Sequence, residues 1–162
     1  MSERHTRVGR ALGLAELGHA QWFFGNLYEA IVRVPDLLAE HRAPMSPLAP
    51  GSPVRYYTTA MPVTFPVVLA AAVASRRDRG SLPWLLTAAA ASLAGVGITA
   101  YLVRSVNRPL LHDTEGVTPQ RRDELLRTWH RLNTVRTATA AAAWLATRTA
   151  RSRLARHAEN PQ

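Results

Sequence analysis

Residues 56–75 and 82–103 each run about 20 residues without a charge, long enough for a helix rising 1.5 Å per residue to cross a hydrocarbon core about 30 Å thick. Both read as membrane-spanning helices. Two further segments carry helical patterning broken by polar residues. In 8–34 an uncharged interior, 17–28, is bounded by Glu16 and Glu29 and contains His19 and Asn26. In 125–147, Arg127, Arg131 and Arg136 precede an alanine-rich run. Neither passes a hydropathy test alone. Polar groups on a membrane helix turn toward other helices, however, and two isolated apolar helices would leave these amphipathic segments with nothing to cover. The pattern predicts an all-α, four-helix up-and-down transmembrane bundle. Its helices fall at about 8–34, 54–75, 82–106 and 120–150, forming one domain over 1–150 with a basic flexible tail at 151–162.

The breaks between these segments have their own chemistry. Pro44, Pro47, Pro50, Pro53 and Gly51 argue for an irregular first loop over 35–53. A short turn at 76–81 and a polar loop at 108–124 complete the connections, and Pro119, Asp123 and Glu124 suit the first turns of the last helix. Pro62 and Pro66 fall inside the second span, where membrane helices tolerate them with a bend. The N-terminal segment is no secretory signal, because Glu16 and His19 interrupt its apolar region.

Net charge is +9 and the isoelectric point about 11.4, values that suggest a nucleic-acid binder. The distribution argues against one. All 20 basic residues are arginine, and they flank apolar stretches instead of forming one face. The expected partner is therefore the bilayer, with no nucleic acid. Arginines in the 76–81 turn and near both ends place those parts on the cytoplasmic side of a multi-pass cell-membrane protein. The chain has no cysteine, so it offers no disulfide, thiolate ligand or thiol nucleophile.

Candidate chemistry concentrates at one end of the predicted bundle. Trp129, Asn133, Arg136 and Ala140 fall within roughly 60° of one another on a helix, and His19, Asn26, Glu29 and Arg33 within roughly 80°. Up-and-down connectivity brings these two stripes to the same end as Tyr56, Tyr57, Tyr101 and Asn107. The simplest account is electrostatic closure, with Glu29 paired to Arg136 or Arg33 and the aromatics in an interfacial belt. The set as a whole also matches the make-up of a small-molecule pocket for an apolar ligand or lipid. Arg136 is the strongest individual candidate, since a buried guanidinium needs a carboxylate or an anionic ligand. His19, Glu29 and His130 are candidate bases, Arg136 and Asn133 candidate oxyanion stabilisers, and Trp129, Asn26, Asn107, Tyr56 and Tyr57 candidate substrate contacts. No metal site is expected, because no histidine pair lies three or four residues apart. Haem or another metal between His19 and His130 is the weaker alternative.

The runs Asn107-Arg108-Pro109-Leu110 and Trp129-x-x-x-Asn133-x-x-Arg136, followed by an alanine-rich final span, resemble the anthrone oxygenase-like family of small four-helix membrane proteins. The segments 25–30 and 52–57 are similar to marks of a subgroup within or near it. The resemblance implies an oxidoreductase of polyketide biosynthesis, a monooxygenase-type activity that turns aromatic anthrones into anthraquinones without a classical organic cofactor. Arg108 departs from the smaller or apolar residue that usual members carry there. The competing class is a non-catalytic membrane protein, in binding, transport-accessory or structural service. Ala94, Gly95, Gly97 and Ala100 offer such a protein, or an enzyme, a surface for homo-oligomerisation.

Overall fold

The computed structural model describes residues 2–40, 46, 48–50, 52–59, 61–112 and 117–159. Among them the fold is all-helical. Helix α1 is Ser2–Val32, α2 Val34–Ala39, α3 Pro53–Tyr57, α4 Met61–Ala74 and α5 Leu82–Leu102. A π-helical extension, Val103–His112, follows α5, and α6 is Pro119–Glu159. Pro44, Pro47 and Gly51 of the predicted first loop and residues 113–116 of the third lie outside the described residues.

The long helices pack in a cycle, α1 on α6, α6 on α5, α5 on α4 and α4 on α1. Leu12, Ala71, Ala72, Leu85, Ala150 and Leu154 form one apolar cluster, which Ala15, Val68, Ala88 and Ala146 continue. Leu102, Val106, Leu125 and Trp129 form another toward the opposite end. Polar side chains occupy the interval between them. Residues 55–74 and 82–111 are each long and apolar enough to cross a membrane, and only 25% and 22% of their apolar windows are buried, so most of that surface faces outward.

Four expectations need correction. The predicted second helix over 54–75 is two elements, α3 and α4, separated by turn residues Thr58 and Thr59, whose hydroxyls donate to the Arg55 and Tyr56 carbonyls. The predicted loop over 35–53 begins instead with α2, which Pro35 and Asp36 favour as first-turn residues. Arg33, at φ 56° and ψ 45°, turns the chain through the left-handed region and folds α2 over the end of α1. The helical path after α5 continues through Pro109 instead of breaking at 108, and the wider π-helical turns accommodate the missing proline N–H. Finally, the segment expected as a flexible tail from 151 is helical through Glu159. Its arginines are good helix formers, and their spacing leaves Leu154 to bury against Leu12. Arg151 pairs with Glu16 at 2.9 Å, and Arg153 stacks over Trp84 at 5.5 Å.

Candidate functional site

The face of α6 that meets α1 is narrow where Ala140, Ala143 and Ala146 are buried, leaving room for larger side chains from α1. At the end nearer α2 it carries Trp129, Asn133 and Arg136, all buried. Arg136 Nη2 donates to Glu29 Oε2 at 2.7 Å, with the two side chains only 5% and 8% exposed. Asn133 Oδ1 accepts from Arg136 Nε at 3.0 Å and from Nη2 at 2.6 Å, while Asn133 Nδ2 donates to the Asn26 carbonyl at 3.1 Å. The guanidinium also lies over the rings of Tyr57 and Trp129, at 5.6 and 5.7 Å. Burial of this charge is thus offset by one carboxylate, one amide and two aromatic faces.

A cavity of about 270 Å³ opens against this group. Glu29, Arg136 and Asn107 supply its polar wall, Tyr57 and Trp129 its aromatic wall. Thr99, Val103 and Leu111 close one side, and Val34, Pro35 and Leu38 of α2 roof it. Asn107 Oδ1 is buried there without a hydrogen-bond partner. A wider groove of about 690 Å³, bounded by Tyr28, Arg55 and Tyr56, shares Glu29, Val34 and Tyr57 with the cavity. Those three residues form the partition between the two spaces. Gly25 makes the partition possible, since a Cβ there would lie 2.6 Å from Tyr56 Cε1 and 3.0 Å from the Tyr57 hydroxyl. Tyr56 packs edge-on to Tyr57 and lines the groove, not the cavity.

The remaining sequence candidates lie elsewhere. His19 is fully buried, with Nε2 2.8 Å from Ser92 Oγ and Nδ1 3.1 Å from Thr147 Oγ1. His130 pairs with Asp36 at 2.8 Å outside the cavity lining, and Arg33 also reaches Asp36, at 2.6 Å. Partial burial raises the Asp36 pKa, but hydrogen bonds and charge from Arg33 and His130 outweigh it and hold the carboxyl below its ordinary value. The two histidines do not meet. Thr147, which touches His19, lies about 25 Å along α6 from His130 at 1.5 Å per residue. Asn26 is buried one turn from Glu29 and does not line the cavity.

A family model described as anthrone oxygenase matches residues 54–146. The chain belongs to the anthrone oxygenase family. Neither the curated proteins nor the solved structures yield a match. In this anthrone oxygenase family member, the matched segment supplies Tyr57, Asn107, Trp129 and Arg136 to the cavity, while α1 and α2 supply Glu29 and the roof.

Sequence reasoning missed the roof, although Val34-Pro35-Asp36 carries the signal of a helix start. It also missed Ser92 and Thr147, which have no motif around them, and Trp22, whose spacing from His19 and Asn26 puts it on the same stripe. Gly95 was expected on an outer surface and instead faces inward, where a Cβ would lie 2.4 Å from the Trp22 ring.

Proposed function

We propose that this protein is a multi-pass membrane oxygenase, a four-helix up-and-down bundle that oxidises an apolar phenolic aromatic of the anthrone type in the Glu29–Arg136 cavity. The observation that carries the reading is a carboxylate and a guanidinium, both buried, converging with an aromatic wall on one space inside an otherwise apolar container. A volume of 270 Å³ lies near the small end of ligand pockets, about 300–1,000 Å³, and suits a compact planar molecule.

Glu29 is the base in this reading, because among the described residues it is the one carboxylate that lines the cavity and no histidine among them does. It takes a proton from the activated methylene of the substrate, and the negative charge moves to the substrate oxygen. The new oxyanion replaces the Glu29 carboxylate as counter-charge to Arg136, so net charge in the cavity does not change. Molecular oxygen then oxidises the anion, adding at the former methylene carbon. The peroxide recovers the proton from Glu29 and loses water, leaving a carbonyl. One anthrone and one O₂ give one anthraquinone and one H₂O. Tyr57 and Trp129 stack on the substrate or on Arg136, and Asn133 fixes the guanidinium.

The test is oxygen uptake by the purified protein in lipid nanodiscs supplied with anthrone, corrected for uncatalysed oxidation. Wild type consumes one O₂ per quinone formed, and Arg136→Ala loses turnover while still inserting into membranes. Unchanged turnover in that variant removes Arg136 from the mechanism. The competing reading, a non-catalytic membrane protein, draws on the closure of Arg136 by Glu29 within the chain itself; absence of turnover in wild type would favour it.

A further inference from the structure

The polar stripe of α1 does not end at the cavity. Glu16, His19, Trp22, Asn26 and Glu29 follow one another along it, and 13 residues at 1.5 Å each carry it about 20 Å, two-thirds of a hydrocarbon core of about 30 Å. Three parts of the stripe are partnered. Glu29 holds Arg136, His19 sits between Ser92 and Thr147, and Glu16 meets Arg151 near the far end.

The interval between His19 and Glu29 is different. Trp22 is 4% exposed and Asn26 0%, yet Trp22 Nε1 and both side-chain polar atoms of Asn26 have no hydrogen-bond partner. One donor from the indole, and an acceptor and an amide from the asparagine, thus lie about one turn apart on a single buried face. Leaving a buried donor or acceptor unsatisfied costs its full desolvation. Buried water normally bonds to such groups, where two to four polar partners converge.

The hydroxyls at His19 extend the same logic. Ser92 Oγ donates to the Ala88 carbonyl at 2.7 Å and Thr147 Oγ1 to the Ala143 carbonyl at 2.8 Å, so each presents a lone pair to the imidazole. A neutral imidazole has one N–H and one acceptor nitrogen. One hydroxyl therefore turns from its carbonyl to donate to the bare ring nitrogen; a relay step passes that hydroxyl's proton to this nitrogen and releases the proton of the other nitrogen to the second hydroxyl, which now donates onward. Ionisable and hydroxyl groups arranged in file within a membrane helix bundle are the usual material of a proton relay.

We propose that Trp22 and Asn26 bind a short string of water molecules that joins Glu29 to the Ser92 and Thr147 hydroxyls flanking His19, giving the cavity's base a proton route on its side away from the substrate. An apolar substrate filling the cavity excludes water from that side of Glu29, leaving this internal route and the wider groove beside Tyr28 and Arg55 as the ways for the carboxyl to exchange its proton during occupancy. That use rests on the oxidation reading above; the hydration of Trp22 and Asn26 does not.

The test therefore needs no substrate. Protein labelled with ¹⁵N at tryptophan and histidine, in nanodiscs, is measured by NMR for water cross-peaks and deuterium exchange at the indole and imidazole N–H groups. Trp22→Phe, which keeps a ring against Gly95, assigns the Trp22 signal. The expected result is a water cross-peak at the Trp22 indole and His19 imidazole, with exchange faster than the backbone amides of the same turns. Asn26→Leu should abolish the Trp22 cross-peak and slow exchange at His19. A Trp22 indole protected as long as its neighbouring amides, with no water cross-peak, overturns the proposal, as does an Asn26→Leu spectrum unchanged at both groups. If hydration is found but anthrone is not oxidised, only the use of the route during turnover falls.

Discussion

Arg136 and Glu29 show how far side-chain chemistry alone can be read. A guanidinium at a buried helical position demands a counter-charge, and the opposing stripe on α1 offers one, so the 2.7 Å pair follows from spacing and sign. What the two histidines do could not be read in that way, because each is defined by neighbours far away in the chain: Ser92 and Thr147 for His19, Asp36 for His130. Removing one member of the buried pair strands the other. Arg136→Met should destabilise the protein by about 3–5 kcal/mol, while the double variant with Glu29→Leu should recover much of that loss, measured as unfolding in a double-variant cycle. At the roof, the lowered Asp36 pKa sets a sign. A carboxyl held below its unfolded value contributes stability above the unfolded pKa, about 3.9, and loses it as pH falls through the folded value. The stability difference between wild type and Asp36→Asn should therefore be full near neutrality and shrink at acid pH, as thermal unfolding across a pH series would show.

At the level of elements, the two long apolar runs were plain in the sequence because an uncharged stretch of that length has few other uses. Boundaries that depend on backbone detail were not. The α2 helix hides behind proline-rich sequence, and the π-helical continuation after α5 keeps a proline inside a helical path. The helical tail was lost to its arginines, which suggest solvent until Ala150 and Leu154 are seen to face the core. Two glycines on α5 separate inward from outward faces. Gly95→Ala would press a methyl into Trp22 and should cost about 1–3 kcal/mol. Gly97, with nothing within 4 Å of its added Cβ, should gain about 0.5–1 kcal/mol on substitution by alanine. Unfolding midpoints of the two variants in one detergent check both signs.

Across the whole molecule, the outward surfaces of α4 and α5 are apolar while the polar groups converge inside, the distribution expected of a chain solvated by lipid. The protein should accordingly stay with membranes through alkaline carbonate washing and leave them only with detergent. The sequence located one end of the predicted bundle as chemically rich, but it could not show whether the stripes neutralise each other or enclose space. In the structure they do both, since Glu29 and Arg136 pair and also form a wall of the cavity. Whether that space is where chemistry occurs can be tested without disturbing the charged pair. Thr99 lines the cavity from α5 with its hydroxyl donated to the Gly95 carbonyl at 2.9 Å and not to Glu29 or Arg136, and Thr99→Phe would fill the cavity with a ring. With anthrone as substrate in nanodiscs, oxygen uptake should fall to the uncatalysed background in this variant while its unfolding midpoint stays close to wild type. Wild-type turnover in a folded Thr99→Phe protein would contradict the assignment of the reaction to this cavity.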